Sequence, residues 1–399
     1  MKKVNIGLLG YGTVGKGVET LLKNEKNMTL HAIFRRPGKA LEPLMTDKIE
    51  ALVEDPAIDT VVEAMGGLEP AHTTLKQAIL HHKNVVTANK ALVNAFGEEL
   101  NQLAIQNKVS FLFSAACGGG IPFLPTMAEA MKKTPLVAAG GILNGTTNFI
   151  IDKMERENLS FDEALGQAQA LRYAEADPTG DLNGTDTMYK LRLAMAVIEK
   201  VWIDQDSILI AGIQNLKAVD IEHFKKRQWV LRLLAHGRSG YGKLSAYVQP
   251  TLLGLNSEEA SIHDNNNLAW FKTFTGVKTV LTGQGAGSIP TATNVLRDLS
   301  AIQNTPQHDL EDQSLLFLSP RMRKAIAENG VDKGSYYVRT DKKIVSPFLD
   351  QDPEERWEDD AYKYTITTRI LILTMHEAMQ SLSQQGEVFF AMIDERGPS

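Results

Sequence analysis

A short apolar run, Val4–Leu9, ends at Gly10-Tyr11-Gly12-Thr13-Val14-Gly15, and helical spacing takes over across Gly17–Leu22. The spacing predicts a strand, a tight turn and a helix. The first glycine permits the turn, the second lets a phosphate approach the backbone, and the third lets the helix pack on the strand. The N–H groups and dipole at the start of such a helix favour anions. A plain strand-to-helix turn with no ligand is the bland alternative. The strand–turn–helix context favours a dinucleotide over it. Further apolar runs at Leu30–Phe34, Thr60–Ala64, Asn84–Thr87 and Val109–Phe113 alternate with helical stretches such as Ala71–His81 and Gly97–Gln106. That alternation predicts a parallel, doubly wound α/β sheet of the Rossmann type over about residues 1–130.

The end of the second strand sets the cofactor. Binders of NAD place an acidic residue about 20 residues beyond the glycine motif, on the ribose hydroxyls. Here that place holds Arg35 and Arg36, with Lys39 nearby. Arginines attract a 2′-phosphate, so the expectation is NADP, with NAD as the alternative and a solvated arginine pair as the bland reading.

A 399-residue chain exceeds one ordinary domain at roughly 150 residues each. After Pro125 the pattern changes. Leu136–Leu143 reads as a strand and Thr147–Glu157 as a helix, and Ser160-Phe161-Asp162-Glu163 is a capping box. Thr185–Val201 reads as a long helix, Arg227–His236 as a helix, Lys243–Pro250 as a strand and Thr291–Ile302 as a helix. An α+β domain is expected over 131–285, with a return segment over about 286–310 completing the first domain. A C-terminal region follows over 311–399, with Asp350–Asp360 as a charged linker.

The net charge of −6 gives no general attraction to nucleic acid or anionic lipid. No apolar stretch reaches the roughly 18 residues of a membrane span. Asn5 and the glycines at 7, 10 and 12 interrupt any signal-like start, and the single Cys117 excludes an intrachain disulfide. A cytoplasmic protein without nucleic-acid or membrane partners is expected.

Several segments, taken in order, resemble homoserine dehydrogenases. They are Val62-Glu63-Ala64-Met65-Gly66-Gly67, Thr87-Ala88-Asn89-Lys90-Ala91-Leu92 and Gly118-Gly119-Gly120-Ile121-Pro122. Then come Gly141-Ile142-Leu143-Asn144-Gly145-Thr146-Thr147-Asn148, Tyr173-Ala174-Glu175-Ala176-Asp177-Pro178-Thr179 and Gly184-Thr185-Asp186 with Lys190. Gly283-Gln284-Gly285-Ala286-Gly287 closes the series. The resemblance implies reversible NAD(P)-dependent interconversion of L-homoserine and L-aspartate 4-semialdehyde, on the route to threonine and methionine. It also implies a homodimer made through the sheet of the middle domain, with higher oligomers open.

Besides Gly10, Gly12, Thr13, Val14 and Gly15 of the turn, Arg35 and Arg36 after the second strand and the departing Arg172, the candidate cofactor contacts are Gly66, Thr87, Lys90 and Gly287, which come from the resemblance. It assigns substrate contacts to Tyr173, Glu175 and Asp186, and catalytic roles to Lys190, Lys90 and Asp186, with Lys190 as proton donor. By spacing alone, Asp186 and Lys190 read as a surface i,i+4 ion pair worth a few tenths of a kcal/mol. The chemistry supports the other reading: carboxylates suit the substrate ammonium, and a lysine suits a developing alkoxide.

Two departures stand out. The family carries a glutamate where this chain has Ser114; with the carbonyls of Cys117, Gly119 and Ile121 that glutamate implies a sodium site. A neutral hydroxyl is a weaker ligand for a hard cation, which argues against sodium here, although neutral oxygens and water could still suffice. Arg172 stands where the family has glycine, able to meet a phosphate or to obstruct the pocket. In the tail, Ser335-Tyr336-Tyr337-Val338-Arg339 and Thr367–Thr374 resemble parts of an ACT regulatory domain, so a divergent ACT-like region is expected. A reductase of another small amino-acid aldehyde and a weakly catalytic sensor remain as alternatives. The joint presence of Lys90, Glu175, Asp186 and Lys190 argues against the sensor.

Overall fold

The computed structural model describes residues 3–39, 42–240, 243–304 and 332–394. What the sequence suggests for 305–331, in the return segment and the start of the tail, lies outside the described residues. The chain forms two compact units. The first comprises residues 1–136, 192–202 and 283–324, and the second the remainder.

In the first unit the strands are β1 (Val4–Leu9), β2 (Met28–Phe34), β3 (Met45–Thr46), β4 (Thr60–Glu63), β5 (Asn84–Thr87) and β6 (Phe111–Leu112). They form one sheet in the order β3-β2-β1-β4-β5-β6, with parallel pairing throughout. The helices are α1 (Thr13–Leu22), α2 (Glu50–Val53), α3 (Ala71–Leu80), α4 (Lys90–Asn107) and α5 (Phe123–Met131). The strand order reverses at β1, so the carboxyl ends of β1 and β4 flank a switch point where open α/β sheets take ligands. Ile6, Leu8, Val62, Val86 and Leu112 form the buried centre of the sheet. Val18 and Leu22 of α1 join Ala292, Val295 and Leu299 in that same cluster.

The second unit begins with β7 (Leu136–Ile142), α6 (Gly145–Glu157), α7 (Phe161–Ala170), α8 (Thr179–Leu182) and α9 (Thr185–Glu199), the last turns of α9 belonging to the first unit. It continues with β8 (Leu209–Ile210), α10 (Ala218–Lys226), β9 (Trp229–Gly240), β10 (Lys243–Gly254), β11 (Asn266–Thr273) and β12 (Lys278–Gln284). The helix α11 (Ser288–Asn304) then returns to the first unit. The tail holds β13 (Lys333–Asp341), β14 (Pro353–Glu358), β15 (Tyr362–Thr367), β16 (Ile370–Leu371), α12 (Ile372–Ser383) and β17 (Val388–Ile393). The sheet runs β12-β11-β7-β9-β10-β17-β13-β15-β14. The tail is therefore part of this mixed sheet, joined where β17 pairs in parallel with β10.

Two expectations fail here. Residues 227–236 are not a helix: Trp229–Gly240 is a long strand paired antiparallel with β10. Arg232 disguised it, being a charge at a buried strand position with 1% exposure. Its guanidinium donates to Glu155 of α6 at 2.7 Å and to the Ala260 carbonyl at 3.0 Å. Nor is Asp350–Asp360 a linker, since Pro353–Glu358 is the outermost strand β14. Charged side chains are how edge strands avoid pairing with other chains. Trp357 nonetheless stacks on Tyr364 of β15, ring centroids 5.2 Å apart.

The tail is locked to α10 by a buried charge cluster. Arg339 on β13 donates through Nε to both oxygens of Asp220 at 2.9 and 3.1 Å, and both residues have 0% exposure. Tyr337 Oη donates to the same carboxylate at 2.8 Å, and Arg339 Nη1 to Glu387 at 2.7 Å.

Candidate active site

In the first unit, the nucleotide-side residues gather at the carboxyl ends of the strands. Gly10 has φ of +100°, and a Cβ there would lie 2.6 Å from the Ala64 carbonyl oxygen. A side chain at Gly15 would run into the Gly10 carbonyl, whereas Gly12, which precedes α1, has open space around it. The turn is thus tight where it must be and open where a pyrophosphate would approach the first N–H groups of α1 at Thr13 and Val14.

Arg35 and Arg36 follow β2. The Arg35 guanidinium lies over the Tyr11 ring, 6.0 Å from its centroid, and Arg36 donates to the Met65 carbonyl at 3.3 Å. Tyr11 itself donates to Glu19 at 2.6 Å; that bond, with burial, pushes its hydroxyl up to about 12. A cavity of about 350 Å³ beside β2 is lined by Phe34, Arg36, Pro37 and Met65, and also by Asp47 and Glu50.

At the end of β4 sits a residue that the sequence reasoning passed over. Glu63 is fully buried, and one oxygen accepts from the N–H groups of Met65 and Gly66 at 2.7 and 3.2 Å. The other accepts from Thr87 Oγ1 at 2.5 Å. Burial raises its pKa despite these bonds. Glu63 therefore ties the Gly66 loop to the end of β5. Asn89 caps α4 by accepting from Leu92 N–H at 3.1 Å, and Lys90 is the first residue of that helix. The one hint was a lone acidic residue ending an apolar strand.

The loop 114–121 is held by α11. Ser114 donates to Asp298 through its N–H at 2.9 Å and its hydroxyl at 2.5 Å. Asn294 Nδ2 donates to the carbonyls of Gly119 and Ile121. Cys117 is buried in this loop. Gly287 precedes α11 with φ of +130°. Burial pushes the Asp298 carboxyl up to about 7, with the Ser114 bonds and Arg297 pulling the other way. A carboxyl whose pKa is higher folded than unfolded loses its stabilising contribution as pH rises between the two values. Asp298→Asn, which can keep both bonds to Ser114, is expected to remove that decline between about pH 4 and 7. The variant should gain roughly 2–4 kcal/mol on the parent by pH 8. Urea unfolding of both proteins across pH checks this: parallel stability curves would contradict it.

In the second unit, Asp186 and Lys190 lie on the first turns of α9. They are not a surface pair, being 6% and 7% exposed. Lys190 Nζ donates to Asp186 Oδ2 at 2.8 Å and to the Leu143 carbonyl at 2.5 Å. Asn144 joins them, donating through Nδ2 to Asp186 at 2.8 Å and Asp181 at 2.7 Å. Its Oδ1 accepts from Thr147 N–H at 2.8 Å, capping α6. A strand end, a helix cap and a helix start thus fix one ammonium and two carboxylates. Asn144 lay inside a quoted motif, but its N-cap position was the only sign of this work.

Tyr173 is anchored at its carbonyl by Thr146 Oγ1 at 2.7 Å and packs edge-on against Phe149 at 5.2 Å. Glu175 is exposed on the segment after α7. Arg172 is also exposed, with φ of +62°. It closes α7: Tyr173 N–H reaches back to the Ala168 carbonyl at 2.8 Å, the long bond of a left-handed helix terminus. That geometry accounts for the glycine expected there. Arg172→Gly should stabilise the protein by roughly 0.5–1.5 kcal/mol in urea unfolding. A rise in KM for the cofactor in the same variant would keep Arg172 among the phosphate contacts, and an unchanged KM would remove it.

Among the described residues no helix is long and apolar enough to cross a membrane. Residues 10–114 match the family model described as homoserine dehydrogenase, NAD binding domain, and residues 122–300 the one described as homoserine dehydrogenase. The chain is 32% identical to a homoserine dehydrogenase of Bacillus subtilis over 81% of its own length and 78% of that protein. It is 36% identical to one from Synechocystis over 74% and 72%. Among solved structures, a homoserine dehydrogenase from Thiobacillus denitrificans superposes over 100% of this chain and 99% of its own, with a TM-score of 0.87 at 28% identity.

Proposed function

Since the chain belongs to the homoserine dehydrogenase family, we propose that it reduces L-aspartate 4-semialdehyde to L-homoserine, reversibly, with a nicotinamide cofactor. The observation that carries this is the buried Lys190–Asp186–Asn144 cluster. The first-unit turn is open at Gly12 and faces the start of α1, and these residues fit a dinucleotide. Bound NADPH or NADH would supply the hydride for the aldehyde carbon.

The chain's own residues manage the oxygen and the substrate's charges. Lys190, oriented by Asp186 and the Leu143 carbonyl, donates a proton to the oxygen as negative charge develops and recovers one from water. In the reverse direction it accepts the hydroxyl proton. Asn144 keeps Asp186 aimed at Lys190. Glu175 and Asp186 receive the substrate ammonium, and Tyr173 borders the same subsite. Lys90, the first residue of α4, belongs to the nucleotide side. Arg35 and Arg36 favour NADP. A second reading, NAD, is favoured by Asp47 and Glu50 in the cavity beside β2, where carboxylates suit ribose hydroxyls.

The tail's order, strand, loop, three strands of which the last is two residues long, helix and strand, supports an ACT-like module that lacks its first helix. A homodimer through the sheet of the second unit is part of the proposal on the family resemblance alone. The product of semialdehyde reduction, identified by chiral chromatography, tests the assignment: L-homoserine supports it, and unreacted semialdehyde or another product refutes it.

A further inference from the structure

We propose that the side-chain amide of Asn294 stands in for a monovalent cation at the 114–121 loop, making Asn294 a positioning residue of the cofactor unit. The family resemblance implies sodium at this loop, but the residues present do not fit one. The carbonyl oxygens of Gly119 and Ile121 converge on Asn294 Nδ2, at 2.5 and 3.0 Å. Asn294 is fully buried. The orientation of its amide is fixed from the other end, because Oδ1 accepts from Arg297 Nη1 at 2.8 Å. With the oxygen taken by a guanidinium, the nitrogen must face the carbonyls.

The rest of the loop completes the clasp. Gly118 and Gly119, with φ of +91° and +58°, turn the loop over α11. A side chain at Gly119 would strike the Gly285 carbonyl, and Gly120 N–H donates to the Gln284 carbonyl at 3.2 Å. Asp298, one helical turn beyond Asn294, is engaged by both donors of Ser114, one to each carboxyl oxygen. A cation and an amide meet the same need, positive charge placed between carbonyl lone pairs. The amide does so without the dehydration a free ion requires, and it is covalently part of α11.

The test compares unfolding midpoint and turnover in sodium chloride and in N-methyl-D-glucamine chloride at matched ionic strength. The unfolding arm is independent of which substrate the enzyme reduces. The parent is expected to be indifferent to the exchange in both readouts. Asn294→Asp replaces the N–H donors with a carboxylate, which at pH 8 or above needs a cation between it and the two carbonyls. This variant should acquire a sodium requirement, its turnover differing roughly tenfold between the salts. A merely structural role for Asn294 would weaken the variant equally in both. If Asn294→Asp folds in neither salt, Asn294→Ala is compared in the same way, and sodium-specific recovery of its midpoint supports the proposal. A parent that loses stability or activity without sodium, or variants indifferent to sodium, overturn it.

Discussion

Lys190→Ala is expected to lower kcat by roughly 10²–10⁴-fold, the usual worth of a positioned acid or base. The ammonium is buried and held by Asp186 and the Leu143 carbonyl, so no neighbouring lysine can replace it without movement. Substrate affinity should change much less, because the substrate ammonium is met by Glu175 and Asp186. The variant leaves Asp186 buried with Asn144 still donating to it, so some stability will also be lost. Turnover is therefore read on protein shown by circular dichroism to be folded. Near-parental turnover in that protein would move proton transfer to Lys90 or to water.

Arg35→Asp should abolish or reverse a preference for NADP over NAD. A charge-assisted hydrogen bond to a phosphate contributes about 1.5–3 kcal/mol, so discrimination should fall by roughly 10–150-fold. The placement of Arg35 over the Tyr11 ring, inside the glycine turn, gives the guanidinium a fixed station there. The comparison is kcat/KM for both cofactors in parent and variant. Equal efficiency with both in the parent would shift the balance to Asp47 and Glu50 and to NAD.

The first unit was legible because its signals are local. Five of its six strands are short apolar runs, only the two-residue β3 lacking that signal, and Gly10 and Gly15 of the turn each answer one steric demand that a single residue can satisfy. The second unit hid its structure in pairings across the sequence. Arg232 looked out of place in a strand because its partner, Glu155, lies on α6. The charged stretch 353–358 looked like a linker because nothing in it reports that β15 will pair with it.

The same distinction runs through the site. Asp186 and Lys190 have the spacing of a solvent-exposed pair, and only burial against Leu143 and Asn144 separates them from one. Glu63, Asn144 and Asn294 carry no motif chemistry of their own. Their importance comes from what they hold: Thr87, Asp186 and the loop carbonyls. Positioning residues are invisible to spacing arguments for that reason.

The measurement that bears most directly on this account is the rate at which purified protein reduces NADP⁺ or NAD⁺ in the presence of L-homoserine, followed by nicotinamide absorbance. Saturable, homoserine-dependent reduction, stronger with NADP⁺ and lost in Lys190→Ala, is the expected result. Absence of homoserine-dependent reduction with either cofactor, in protein that is folded and binds the cofactor, would contradict it.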